Sequence, residues 1–443
     1  MWLILLCLFL PITFANILRP ERTSYSGYRL ISFTTNKRAA QWLHYLEEYG
    51  FNYAENEESA RILVDIFSEP SRFKKEAVVL VAPEFYGTFS DYLRVYGVTD
   101  MKVIKEDVQR DLEMAARYGA KRRVRRQLNK ARDFKLDEYH SYDEMIDYMR
   151  KLSEENEHVE LINVGISSEE KTLYGIKIFG DGKAGKPSVF VDAGVHAREW
   201  IAPAAALVVI DRLAAQYGNN DTISRVIDKF DWYIVPQTNP DGYEYSRTTD
   251  RLWRKTRSRN MTVNKWCVGA DANRNWGYRW GGAGANRSPC STVYAGSHPF
   301  SEPEIRGLKE YITWNIPQLT IYASLHSYGQ VLLSPWGYTD EKPDNYQDQK
   351  TAATLAINAI KNTTGSYYTH GTISELMYPA SGTSIDFMQN RGVPYIYGVE
   401  LRPTDSANSF AFSLPPTFIE STGEEMLAAL LALADYATVQ KRL

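Results

Sequence analysis

Ser188-Val189-Phe190-Val191-Asp192-Ala193 runs directly into Gly194-Val195-His196-Ala197-Arg198-Glu199-Trp200, and a helical stretch from Ala202 to Gly218 follows. The first six residues read as a buried strand, because a short apolar run bounded by glycine fits a strand covered on both faces. The pattern repeats outward. Trp232 to Pro236, Leu319 to Leu325 and Tyr395 to Val399 read as further buried strands. Around them, His140 to Glu155, Glu302 to Ile312, Asp348 to Asn362 and Phe418 to Gln440 read as helices. This alternation predicts one large α/β domain from about residue 137 onward, with a mixed, mostly parallel central sheet flanked by helices.

In such sheets functional side chains gather at the carboxyl ends of strands. His196 and Glu199 follow the first run, His326 follows the third and Glu400 follows the fourth. Any one of these alone would more often be structural; their joint placement points to chemistry. His196 and Glu199, three residues apart, can converge on one metal ion with His326 arriving from another strand end. Two imidazoles and one carboxylate leave a fourth tetrahedral position open, the pattern of a catalytic zinc site rather than a closed structural one. Each imidazole needs its second ring nitrogen oriented, usually by a carboxylate, and Asp271 is a candidate. A carboxylate beside a zinc-polarised water can act as a base, a role that fits Glu400.

The rest of the chain narrows the setting. Its 443 residues are 44% hydrophobic and 24% charged, enough for two or three globular domains. A net charge of −3, from 51 basic and 54 acidic residues, gives no field for nucleic acid. Met1 to Ala15 carries an apolar core, then Pro11 and a small Ala15, and resembles a secretory signal peptide. Polar sequence begins at Asn16, well short of the roughly 20 apolar residues a membrane span needs, so a secreted protein with no membrane partner is expected. With Cys7 in that leader, Cys267 and Cys290 remain, and in an exported chain they most simply form one disulfide. Asn220, Asn260, Asn286 and Asn362 stand in glycosylation sequons.

Residues from about 26 to 110 read as a separate module. Tyr28 to Phe33, Ala60 to Phe67 and Ala77 to Ala82 read as strands, and Lys37 to Tyr49 as a helix closed by Gly50. A strand–helix–strand–strand–helix–strand order gives a small ferredoxin-like open α+β sandwich. Nothing in it resembles a site. The basic run Lys121-Arg122-Arg123-Val124-Arg125-Arg126 is, on composition alone, equally a solvated face or a place where a protease cuts.

The residues from about 137 to 440 resemble the zinc metallocarboxypeptidases of the pancreatic carboxypeptidase A/B family, made as procarboxypeptidases. The motifs are V-H-A-R-E-W-I-A-P-A from Val195, R-L-W-R-K-T-R-S from Arg251 and C-V-G-A-D-A-N-R-N-W from Cys267. L-H-S-Y-G-Q from Leu325, Y-P-A-S-G-T-S-I-D from Tyr378 and G-V-E-L-R from Gly398 follow in order. Two histidines and one glutamate are the zinc ligands known for carboxypeptidase A. The resemblance implies an enzyme with one zinc ion per chain, hydrolysing the last peptide bond of peptides and proteins with a free C-terminus. It implies His196, Glu199 and His326 as zinc ligands, Glu400 as general base and Arg254 as the oxyanion-stabilising residue. Asn273, Arg274 and Tyr378 match the group that holds the terminal carboxylate, for which an arginine fork is the natural partner. Arg198 lies along the approach, and Ser327 and Tyr328 belong to the same substrate-binding set. A binding-only relative would have lost a ligand or the base, and none is missing here.

The same resemblance divides the chain into a signal peptide (1–15), an activation propeptide (16–126) and a catalytic domain (127–443). It implies a zymogen opened by a trypsin-like protease within the basic run 121–132. In this family the position of Ile385 lies at the base of the specificity pocket, and an aspartate there goes with lysine or arginine preference. Isoleucine offers a basic side chain no counter-charge. Leu333, Gly337, Ile373, Met377 and Ala380, expected on the pocket wall, are uncharged, and Gly398 leaves room. Release of hydrophobic and aromatic C-terminal residues is the expectation, as in A-like members.

Overall fold

The computed structural model describes residues 22–49, 63–70, 75–114, 134–181, 185–260, 262, 266–404 and 411–441. The leader Met1–Ala15 and the basic run with Arg132 lie outside the described residues.

The amino-terminal module contains β1 (Arg29–Thr34), the helix Lys37–Tyr49, β2 (Val64–Ser68), β3 (Glu76–Val81), the helix Pro83–Val95 and β4 (Lys102–Lys105). Its strands form an antiparallel sheet in the order β2-β3-β1-β4. Side chains alternate across a strand, so each strand serves two faces. Ile31, Phe33, Val79 and Val81 pack under the module's own helices against Trp42, Leu43 and Phe89. Leu30, Val78 and Leu80 face the other way and pack, with Tyr25 and Tyr28, against Leu252, Tyr328 and Phe412 of the large domain. The module's open sheet face is therefore covered by the rest of the chain.

The large domain carries β5 (Val159–Ile166), β6 (Thr172–Ile178), β7 (Ser188–Ala193), β8 (Asp231–Val235), β9 (Leu319–Gly329), β10 (Val331–Ser334), β11 (Thr369–Thr372) and β12 (Tyr395–Thr404). They form one sheet in the order β11-β10-β12-β9-β7-β8-β6-β5. β12, β9, β7 and β8 are mutually parallel, while β6 and β5 extend one side antiparallel and β10 pairs antiparallel with β12. Val189, Val191, Ile321 and Ala323 pack against the helices Ile201–Gln216 and Ile419–Lys441 on one face. Phe190, Tyr322 and Ile396 pack against the helices Pro303–Asn315 and Ser384–Asn390 on the other. The helix Ile201–Gln216 is apolar nearly all round and buried, as a helix laid across a sheet centre must be.

Two features differ from the sequence reading. β9 and β12 continue past their apolar runs, so His326, Ser327 and Glu400 sit within strands rather than after them. β5 at the sheet edge and β6 beside it, with alternating burial, are strands that a search for continuous apolar runs passes over. Cys267 and Cys290 are joined in a disulfide. Of the sequon asparagines, Asn260 and Asn362 are exposed and Asn220 caps the helix Asp221–Lys229. Asn286 is buried, its side chain accepting from the Ser288 amide.

Candidate metal centre and peptide cleft

His196 and Glu199 are delivered by the turn that leaves β7. Gly194 opens it with φ +68°, where an added Cβ would lie 2.3 Å from Gln237 Oε1, so only glycine fits. The Ala197 amide donates to the Arg254 carbonyl (3.0 Å), tying this turn to the loop that carries the arginine. His326 comes from β9, directly opposite Glu400 in the pairing with β12.

The three expected ligands meet and are buried, and their ligand atoms all lie within 4.8 Å of one another. Nδ1 of His196 lies 2.8 Å from Glu199 Oε1; Nδ1 of His326 lies 3.2 Å from Glu199 Oε2 and 3.2 Å from Nδ1 of His196. With zinc–nitrogen distances near 2.0–2.1 Å, ligand atoms of a tetrahedral site stand about 3.3 Å apart, so the spacing suits zinc. The outer ring nitrogens are engaged elsewhere: Nε2 of His196 meets Asp271 Oδ1 (3.1 Å) and Nε2 of His326 meets Ser324 Oγ (3.0 Å). Both Nδ1 atoms thus face the carboxylate and each other, placed so that their lone pairs, once free of protons, can meet one cation.

Charge at the centre is set by near neighbours. Burial alone would raise the Glu199 carboxyl, but the His196 charge and the hydrogen bonds of both imidazoles hold it well below the usual range. Burial pulls His326 down, while its hydrogen bond and attraction to Glu199 carry it up to about 9. Asp271 is fully buried; the charges of Arg254, His196 and Arg274 outweigh that burial and keep it ionised. Arg254 donates to Asp271 Oδ2 through both Nε (3.1 Å) and Nη2 (2.8 Å), so one carboxylate orients a ligand and holds an arginine.

His196, Glu199, His326 and Arg254 line a cavity of roughly 870 Å³, open mouth included, together with Arg198, Asn273, Arg274, Ser327, Tyr328, Tyr378, Ile385 and Glu400. Arg274 is buried and extended by donation to the carbonyls of Gly284 (2.6 Å) and Asn273 (3.0 Å); its Nη2 reaches the Tyr378 hydroxyl at 3.3 Å. Asn273 accepts from the Ser384 amide (3.0 Å), which joins it to the pocket helix. At the far end, Leu333, Ile373, Met377, Ala380 and Ile385 supply apolar wall. Gly398 faces Ile385: an added Cβ would come within 2.6 Å of Ile385 Cδ1. Gly337 is not on the wall. It lies behind Ala380, its amide donating to Asp386.

Other lining residues were not expected. Thr292, Val293, Thr383 and Phe412 join from the large domain, and Ile66, Phe67 and Glu69 from the amino-terminal module. Arg198 Nη1 donates to Asp65 Oδ2 of β2, a buried ion pair between the two domains. The Arg198 guanidinium also lies against the rings of Phe67 (5.0 Å) and Phe412 (4.2 Å), which touch each other edge to face. Nearby, the Tyr25 hydroxyl donates to Asp250 (2.7 Å) in a buried contact. The module, read from sequence as free of site residues, thus reaches into the cavity. The resemblance to an activation segment pointed there; no local motif did.

Residues 145–429 match the zinc carboxypeptidase family. The chain is 34% identical to zinc carboxypeptidase A 1 of Drosophila melanogaster over 97% of its own length and 96% of that protein. It is 39% identical to carboxypeptidase B of Astacus astacus over 67% of its length and 96% of that protein. Among solved structures, carboxypeptidase A of Helicoverpa armigera superposes with a TM-score of 0.83 at 27% identity, covering 95% of this chain and 99% of that one.

Proposed function

The chain belongs to the zinc carboxypeptidase family, a metallocarboxypeptidase hydrolysing C-terminal peptide bonds, and on that premise we propose an exported proenzyme that releases apolar C-terminal residues. One observation carries the reading of the site: the His-Glu-His group, Glu400, Arg254 and Arg274 converge on one cavity whose inner end is apolar.

His196, Glu199 and His326 hold the zinc ion, which when bound supplies Lewis acidity toward a carbonyl and a water. Arg274, with Asn273 and Tyr378, binds the substrate's terminal carboxylate; its fork can take the two oxygens together. Anchoring the peptide by its end sets the last bond against the centre, which converts chemistry on a long chain into a local event. The last side chain enters the pocket ending at Ile385. Glu400 takes a proton from the attacking water at its carboxylate and delivers it to the departing amine. Arg254, kept charged by Asp271, faces the carbonyl oxygen as negative charge develops on it.

The relatives bear both A and B names, and the pocket chemistry favours the A-like preference. A buried apolar side chain gains about 1.5–3 kcal/mol there, whereas an unpaired cation loses several. The space beside Gly398 is taken by Ile385 Cδ1, so that glycine seats the apolar floor of the pocket and does not add room for a ring. The amino-terminal module, filling the cavity mouth and pairing Asp65 with Arg198, supports a zymogen whose propeptide ends near 126 and is cut in the run 121–132 by a trypsin-like protease. The leader Met1–Ala15 and the disulfide support export; no helix among the described residues is long and apolar enough to cross a membrane.

The test is a panel of peptides differing only in the last residue, run on trypsin-processed protein. Phe, Tyr and Leu should be released fastest, with Lys and Arg much slower; faster release of Arg than of Phe overturns the preference. Limited trypsin should raise activity; an intact chain as active as the cut one rejects inhibition by the module. Full turnover in excess chelator rejects the metal role.

A further inference from the structure

Resting on the ligand set proposed above, we infer that Ser324 and Asp192 are positioning residues that fix His326 for zinc through a hydroxyl relay. The two imidazoles of the centre are oriented differently. His196 meets the carboxylate of Asp271 directly. His326 meets no carboxylate at Nε2; it meets Ser324 Oγ at 3.0 Å, and Ser324 Oγ lies 2.7 Å from Asp192 Oδ1. The other Asp192 oxygen, Oδ2, accepts from the Tyr322 hydroxyl.

The sheet builds this chain of contacts. Tyr322, Ser324 and His326 alternate along β9 and so share one face. Asp192 stands opposite Ser324 in the parallel pairing of β7 with β9. Asp192, Ser324 and Tyr322 are fully buried, out of reach of bulk solvent.

The direction of each bond follows from chemistry. Nδ1 of His326 faces the ligand cluster and must offer a lone pair, so the ring proton sits on Nε2 and is donated to Ser324 Oγ. The serine has one proton, and it goes to Asp192. Asp192 thus acts on His326 at one remove: its charge polarises the hydroxyl, the hydroxyl becomes a better acceptor, and the imidazole becomes a better donor of its Nδ1 pair. Both metal histidines are then backed by a buried carboxylate, one directly and one through a single hydroxyl.

The test uses the full chain stripped of zinc, with zinc affinity measured by competition against a fluorescent chelator. His326→Ala must lose tight zinc binding; if it does not, the ligand set itself fails, independently of the relay. Given that loss, Ser324→Ala should weaken zinc binding by about 10- to 100-fold, and the near-isosteric Asp192→Asn should weaken it by several-fold. The double variant should match Ser324→Ala within twofold, because without the hydroxyl the carboxylate no longer reaches His326. In the zinc-loaded protein the His326 Nε2–H proton resonance should move upfield in Asp192→Asn, a change that loss of packing alone does not produce. Zinc affinity within twofold of the unmodified protein in either single variant, losses that multiply in the double variant, or an unmoved resonance overturns the relay. Should Ser324→Ala fail to fold, affinity and resonance of Asp192→Asn decide the matter alone.

Discussion

Replacing Asp65 with asparagine tests the proposal that the amino-terminal module silences the site. Asp65 and Arg198 are both nearly inaccessible, with side-chain exposures of 1% and 3%. Removing the charge of one partner leaves the Arg198 cation buried and uncompensated, which costs about 3–5 kcal/mol in such pairs. The rings of Phe67 and Phe412 offset part of this through cation–π attraction, about 0.5–2 kcal/mol. Roughly 3 kcal/mol remains. It falls on the docked arrangement alone, because Arg198 regains water once the module lifts away. At 1.4 kcal/mol per tenfold, the open fraction of the uncleaved chain rises by about two orders of magnitude. The assay is hydrolysis of a blocked dipeptide ending in Phe by Asp65→Asn chain verified as uncut on a gel, beside trypsin-processed enzyme. The uncut variant should gain about 100-fold over the uncut parent, limited by the processed rate, and the processed forms should be equal. An uncut variant no faster than its parent, with processed enzyme active, refutes the idea that this ion pair holds the module down.

Three further outcomes are expected. Ile385→Asp should lower the preference for Phe over Arg by at least about tenfold in kcat/KM, by placing a counter-charge against the incoming side chain; an unchanged ratio removes Ile385 from the specificity pocket. Glu400→Gln should retain zinc by metal analysis while losing about 10²- to 10⁴-fold in kcat, and a near-normal rate rejects its role as base. Glu304 is fully buried, its Oε1 accepting from the Ser168 amide and hydroxyl, and burial followed by Glu302 pushes it up to about 7. The folded chain keeps this proton to about pH 7 while the unfolded chain releases it near 4.5, so folded protein binds the extra proton between and its stability falls as pH rises through that window. Glu304→Gln should therefore gain up to about 3 kcal/mol over the parent at pH 8 relative to pH 5, read from thermal melts; equal shifts at both pH values contradict the assignment.

The centre of the fold was legible because β7 announces itself: an apolar run ended by a glycine that only a tight turn explains. The ligands and the base were legible because His196, Glu199, His326 and Glu400 interrupt apolar texture at comparable places. What misled was the assumption that a strand ends where apolarity ends. In β9 and β12 the ladder continues through His326, Ser327 and Glu400, since buried polar side chains with partners do not interrupt backbone pairing. Asp192 carried a readable sign, a carboxylate inside a buried run, but its partner lies on another strand. The contribution of Asp65 was invisible for the same reason: a lone aspartate in a small strand gives no sign of the arginine it meets 133 residues away. Local periodicity reports which face a residue takes, and nothing about which distant element will cover that face.

The disulfide between Cys267 and Cys290 encloses Asp271, Asn273 and Arg274, whereas His196, His326 and Glu400 belong to the sheet and its turn. The site is therefore made in two halves by two kinds of fastening, a hydrogen-bonded lattice and a covalent clasp. Chain kept reduced would assemble the lattice half and leave the clasped half untethered, loosening both the grip on the end of a peptide and the Asp271 carboxylate that orients His196.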